Sequence, residues 1–104
     1  TDLNWIFDDS NNTSQSELEI CWSQNGKIRR YIIDRTLIDH KGVRWIIDFK
    51  TGDPQKKSIN EFIRLQRELH APQLQRYHEV FKKIEDRRTK IAILLTSINQ
   101  LVTI

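Results

Sequence analysis

The stretch Tyr31 to Lys50, YIIDRTLIDHKGVRWIIDFK, constrains this chain more than any other, because it sets two acids and a lysine inside runs that otherwise belong to a core. An Ile-rich run closes on Asp34 and continues to a polar tip, Asp39-His40-Lys41-Gly42. Val43 to Phe49, rich in β-branched and aromatic residues, then supplies a second strand. Runs such as Ile46-Ile47 between Trp45 and Phe49 predict burial on both faces, whereas Asp34, Asp48 and Lys50 interrupt them. Buried charge is costly unless it is paired or bound to metal.

Turn chemistry decides where those acids point. A three-residue loop, His40-Lys41-Gly42, with Gly42 in the left-handed conformation, pairs Asp39 with Val43 and therefore Asp34 with Asp48. Directly opposed side chains stand roughly 4.5–5.5 Å apart at Cβ, where like charges repel, so a cation is expected between them. Lys50 shares a sheet face with Asp48 because strand side chains alternate. A divalent ion such as Mg²⁺, which takes carboxylate oxygens and keeps several waters, meets the same need. Two alternatives stand beside this one. A two-residue loop puts the acids on opposite faces, and pairing with Arg35, Arg44 or Lys50 makes them ordinary ion pairs.

Asp34, with Asp48-Phe49-Lys50 fourteen residues on, resembles the Asp…(Asp/Glu)-x-Lys signature of the PD-(D/E)xK nuclease superfamily. More closely, IDRTLID, GVRWIIDFKTG and Gln73-Leu74-Gln75-Arg76-Tyr77 resemble the C-terminal nuclease domain of RecB-like and AddA-like helicase-nucleases, whose site adds a Gln-x-x-x-Tyr helix motif. The resemblance runs roughly from Glu17 to the C-terminus. It implies a restriction-endonuclease-like α/β (α+β) core and Mg²⁺ or Mn²⁺ held by Asp34, Asp48 and the backbone carbonyl of Phe49, with Glu17 a further candidate ligand. It also implies catalytic roles for Lys50, Gln73 and Tyr77, DNA as substrate, and an upstream helicase domain and a partner subunit as partners. Such nucleases usually carry a helix before the first strand with a metal-facing His or Glu. Nothing in Thr1 to Ser16 supplies one, so the chain is expected to be inactive alone.

The remaining elements follow in order. Asp8 to Ser16 is a polar loop; Glu17 to Ser23 alternates as a strand; Gln24-Asn25-Gly26 turns into the strand Lys27 to Ile38. The expectation is thus an antiparallel meander of three strands. After Thr51-Gly52-Asp53-Pro54, where Gly52 is expected to allow close approach, the capping box Ser58-x-x-Glu61 opens a helix with a face of Ile59, Phe62, Ile63, Gln66 and Leu69. Pro72 is expected to end it and begin a second helix to about residue 87, with the stripe Leu74, Tyr77, Phe81 and Ile84. The apolar run Lys90 to Ser97 is a central strand and Gln100 to Ile104 a short last one. There are no repeats and no linker, which predicts one domain over 1–104.

Composition narrows the function classes. With 38% hydrophobic and 30% charged residues the chain belongs among globular proteins. No apolar run approaches the ~18 residues of a membrane span, and no signal peptide is visible. The lone Cys21 has no disulfide partner and is expected to be a buried small hydrophobe in a cytoplasmic protein. The absence of methionine and the abrupt opening Thr1 to Phe7 suggest the C-terminal part of a longer protein. His40, His70 and His78 lack zinc spacing and are expected in a turn and on helix surfaces. No Gly-rich phosphate loop is present, so an ATPase would lie upstream.

Charge is uneven: residues 1–49 hold 6 basic and 8 acidic side chains, residues 50–104 hold 11 and 6. Lys56, Lys57, Arg64 and Arg76 are the expected phosphate contacts, with Arg67, Lys82, Lys83, Arg87, Arg88 and Lys90 nearby in sequence. The interleaved Glu61, Glu68, Glu79, Glu85 and Asp86 fit solvated helix faces equally. The expectation is therefore a metal-dependent deoxyribonuclease, exonuclease or endonuclease, serving a DNA-repair helicase-nuclease. Its rivals are a non-catalytic DNA-binding or scaffolding module of the same fold and a stand-alone restriction-type or resolvase-type enzyme.

Overall fold

The computed structural model describes residues 3–10 and 13–104; the expectations for Thr1, Asp2, Asn11 and Asn12 lie outside them. A 3-10 turn, Asn4–Phe7, precedes β1 (Gln15–Gln24), β2 (Lys27–Ile38), β3 (Arg44–Lys50), α1 (Ile59–Ile84), β4 (Thr89–Leu95) and β5 (Gln100–Thr103). The five strands form one sheet in sequence order. The β1–β2, β2–β3 and β4–β5 pairs are antiparallel, and β3–β4 is parallel. The parallel pair requires a crossover, which α1 supplies. The molecule is thus a mixed α+β fold, compatible at this level with a restriction-endonuclease-like core.

Each turn follows from its residues. Asn25 and Gly26 both take positive φ, 51° and 75°, the backbone of a two-residue hairpin whose twist matches its strands. At the β2–β3 tip Gly42 has φ 81°, and the Asp39 amide donates to the Val43 carbonyl at 2.9 Å, as the three-residue loop requires. The Asp39 carboxylate closes the loop by accepting from the amides of Lys41 and Val43.

Alternation in β3 and β4 divides two cores. Ile46 joins Phe62, Leu74, Tyr77, Phe81, Ile91, Ile93 and Leu95 beneath α1, whereas Ile47 and Leu94 meet Ile6 of the 3-10 turn on the opposite face. Arg35, only 4% exposed, fastens that turn: its guanidinium donates to the Ile6 carbonyl at 2.7 Å, to Ser16 Oγ at 2.7 Å and to Asp9 at 3.0 Å.

Several expectations are corrected. Residues 59–84 are one helix, with Pro72 inside it. A proline removes one helical hydrogen bond and crowds the preceding turn, but burial of Phe62 before it and Leu74, Tyr77 and Phe81 after it holds both halves on one sheet. Ser58 caps the helix by accepting from the Glu61 amide at 3.1 Å, as the capping box predicts. Ile59, Leu69 and Ile84 are exposed rather than part of the stripe. Cys21 is exposed, because it lies on the uncovered side of β1 opposite Arg30. Gly52 has ordinary φ and open space around it, so nothing there requires glycine. Among the described residues no helix is long and apolar enough to cross a membrane.

Candidate acid-pair site

The site forms where two strands part. In β2–β3 the register runs Ile38–Arg44, Leu37–Trp45, Thr36–Ile46, Arg35–Ile47, so continuing it sets Asp34 against Asp48. Hydrogen-bonded pairs alternate in an antiparallel ladder. Counting from Asp39–Val43 they fall at Leu37–Trp45 and Arg35–Ile47, and the next would be Ile33–Phe49. That pair is not formed. The Phe49 amide instead donates to Asp34 Oδ2 at 2.7 Å, so a side chain replaces the lost backbone acceptor. The amide and carbonyl of one strand residue point to the same neighbour, so the Phe49 carbonyl faces the same gap.

The parting has a local cause. Ile33 packs in the core beneath α1, yet Arg35, two residues later, binds Ile6 on the other face. Strict alternation would put them on one face. The reset occurs at Asp34, and Glu17, its counterpart in the β1–β2 register, is the one position that ladder skips. Glu17 has φ 54°, a left-handed backbone rare for glutamate. Such irregularities in sheets re-aim side chains.

Asp48 and Lys50 lie on the helix-facing side of β3, with Lys50 Nζ 3.0 Å from Asp48 Oδ2. Burial, together with a hydrogen bond to the Asp34 carboxyl, pushes Asp48 up to about 6 against the opposing pull of Lys50. Two carboxyls in contact cannot both ionise cheaply. The strand end is braced from the other side: the Lys50 carbonyl accepts from the Thr96 amide at 3.0 Å and from Thr96 Oγ1 at 3.2 Å.

From above, α1 brings Tyr77, which is 2% exposed. Burial and then the Asp48 charge, with Tyr31 and Asp34, push its phenol up to about 12, opposed by Arg76. Its ring meets Tyr31 edge-on at 5.7 Å, and Tyr31 stacks on Trp22 at 4.7 Å. Gln73, half-buried, stands one turn before Tyr77.

The expected residues divide accordingly. Asp34, Asp48, Lys50 and Tyr77 come together, with the Phe49 carbonyl facing the same gap; Gln73 is half-buried on α1 one turn before Tyr77. Glu17 does not join them: its side chain is exposed, and among the described residues no three His, Cys, Asp or Glu side chains converge. Lys56 and Lys57 are exposed on the loop between β3 and α1, and Arg76 is exposed beside Tyr77. Arg64 spends its charge locally on Glu68 at 3.0 Å.

Sequence reasoning missed His70. It is half-buried, with Nε2 at 3.2 Å from Gln66 Oε1, and its pKa is lowered by burial and then by the Lys50 charge. His70, Gln73 and Tyr77 follow one helical face at i, i+3 and i+7. Ending a helix at Pro72 separated His70 from the other two and hid that alignment. His78 is likewise half-buried rather than on the surface.

Comparison with protein-family models and with curated proteins finds no match to this chain.

Proposed function

We propose that this chain is the nuclease domain of a larger DNA-processing protein and hydrolyses DNA phosphodiesters with a divalent metal ion. The observation that carries the reading is the contact of Asp34 with Asp48 in the parted end of β2–β3, with the Lys50 ammonium 3.0 Å from Asp48.

The donor set suits Mg²⁺ or Mn²⁺. Burial and the neighbouring Asp34 carboxyl raise the Asp48 pKa to about 6, and a cation held between the two carboxyls would relieve that cost. Asp34, Asp48 and the Phe49 carbonyl would hold the ion, and so few protein donors leave room for the waters that Mg²⁺ keeps. When bound, such an ion polarises a phosphate oxygen and lowers the pKa of a coordinated water.

The chain's own groups do the rest. Lys50, oriented by Asp48, places a positive charge where the phosphate becomes more negative. The Tyr77 phenol stays protonated at neutral pH and can donate to the substrate strand, with Gln73 beside it. Lys56, Lys57 and Arg76 neutralise neighbouring phosphates without reading sequence. Within this reading the parent is a cytoplasmic helicase-nuclease of DNA repair and recombination, with its ATP-dependent motor upstream and a partner subunit alongside.

In the intact protein, Asp48→Ala or Lys50→Ala is expected to abolish Mg²⁺-dependent cleavage of linear DNA while circular dichroism stays that of the wild type. Full activity in either variant refutes the assignment. A second reading rests on the absence of a third acid from the pair among the described residues: a DNA-binding or scaffolding module that keeps the fold without cutting. Salt-sensitive DNA binding with no Mn²⁺ uptake in calorimetry would select it.

A further inference from the structure

The face of the sheet away from α1 is covered only in part by the segment 3–10, and its aromatic residues do not close over one another. Trp5 and Trp45 meet edge to face with ring centroids 5.0 Å apart, so they form a corner rather than a stack. Within that corner lies a hollow of about 420 Å³, lined by Trp5, Asp8, Leu37, Asp39, His40 and Trp45. A second hollow of about 590 Å³ opens on the far side of Trp5, against Leu3, Asn99, Gln100 and Leu101. Trp5 is therefore a ridge between an acidic-aromatic hollow and one walled by both polar and apolar side chains, and it remains 36% exposed. Beyond it Phe7 is 53% exposed, although its ring rests against Phe49 at 5.6 Å.

The charges facing the first hollow do not cancel. Asp39 is anchored by the amides of Lys41 and Val43 and by Trp45 Nε1 at 2.9 Å, and Asp8 by the amide and hydroxyl of Ser10. Both carboxyls accept these bonds as anions and stay ionised at neutral pH. The only cation against Trp45 is Lys90 among the described residues, its Nζ 5.2 Å from the ring centroid. Arg35, whose charge also reaches Asp8, is ion-paired with Asp9 at 3.0 Å, so the carboxylates Asp8, Asp9 and Asp39 outweigh the cations Arg35 and Lys90. Lys90 also shows that this indole accepts a cation on its π face.

We propose that this groove docks a polypeptide segment of a partner protein, whose arginine or lysine side chain enters the Trp5–Trp45 corner while a neighbouring apolar side chain rests on the exposed rings of Trp5 and Phe7. The aromatic corner and the two carboxylates select a cation. The exposed rings of Trp5 and Phe7 next to it select a chain rather than a free small ion, since exposed aromatic ridges anchor protein interfaces. The site lies on the opposite face from the acid pair and stands independently of the nuclease reading.

The test uses the three tryptophan indole N–H signals in nitrogen-15 spectra, with Trp22 as internal control. Titration with acetyl-Leu-Ala-Ala-Arg-Ala-Ala-Leu-amide is expected to shift the Trp5 and Trp45 signals saturably and leave Trp22 in place. Replacing the peptide's arginine by neutral citrulline should weaken binding about tenfold. Trp5→Ala and, separately, Asp8→Asn should each weaken it about threefold or more. Equal binding of the citrulline peptide, or equal shifts at Trp22, overturns the proposal. So does acetyl-arginine amide binding as tightly as the heptapeptide, which would make the site one for a small cation. Self-association that Trp5→Ala abolishes would assign the face to a second copy of this chain and overturn it as well.

Discussion

Asp48 sits where its ionisation is costly, in a buried place beside a second carboxyl. Its carboxyl is raised to about 6, so between the ordinary value of 3.8 and that value the folded state binds more protons than the unfolded one. Stability conferred by the protonated form is therefore complete below pH 4 and is lost as pH rises through 6. Compared with Asp48→Asn, which cannot titrate, the wild type is expected to lose on the order of 2 kcal/mol of unfolding free energy between pH 4 and pH 7, measured by urea denaturation and discounted for partial screening. Saturating Mn²⁺ should restore stability to the wild type and leave the variant less affected. Glu85 behaves with the opposite sign. Arg44 holds it by two contacts, Nε at 3.0 Å and Nη2 at 2.8 Å, and keeps its pKa below the usual range. That pair stabilises above pH 4.5 and fades as pH falls through the lowered value. Glu85→Gln is expected to cost about 1–2 kcal/mol at pH 7, read from the urea midpoint, with DNA cleavage unchanged.

At the scale of elements, α1 decides what stands over the acids. Its N-terminal half is anchored by Ser58 and Phe62, its C-terminal half by Leu74, Tyr77 and Phe81, and Arg44 joins its last turn to the start of β3 through Glu85. Pro72 lies between the halves, just before Gln73. Pro72→Ala returns an amide donor to the helix and is expected to stabilise the protein by about 1–3 kcal/mol, seen as a higher thermal midpoint. A simultaneous fall in cleavage would show that the proline's bend aims Gln73 and Tyr77. The helix was legible in sequence from its capping box and its apolar spacing. Its continuity was not, because a proline penalty of about 3 kcal/mol is a local quantity and the burial that offsets it is tertiary.

For the whole molecule, the sheet is a partition with different chemistry on each side: acids, lysine and phenol beneath α1, indoles and phenyl rings beneath the segment 3–10. Arg35 ties the second side together from within the sheet. Asp9, its ion-pair partner, has an 85% exposed side chain, so that pair contributes little; the bond to the Ile6 carbonyl is the one that burial makes costly to lose. Arg35→Ala is expected to destabilise by about 2–4 kcal/mol and to shift tryptophan emission to the red as Trp5 leaves Trp45. A variant that kept wild-type emission would show that the turn is held by Ile6 packing alone.

The amino-acid order alone specified the three-strand meander and the glycine-closed tip, because hairpin register depends on residues a few positions apart; between the loop lengths it left open the structure takes the three-residue one, which sets Asp34 against Asp48. It also specified the cap of α1 and the apolar strand that became β4. Tertiary structure alone decided that the β2–β3 ladder parts at Phe49, that Glu17 turns into a left-handed backbone and stays outside the pair, that His70 comes near Lys50, and that Cys21 faces outward. Each of those depends on contacts between segments distant in the chain. Periodicity records which side of an element is apolar, but it holds no term for the neighbour that will lie against it.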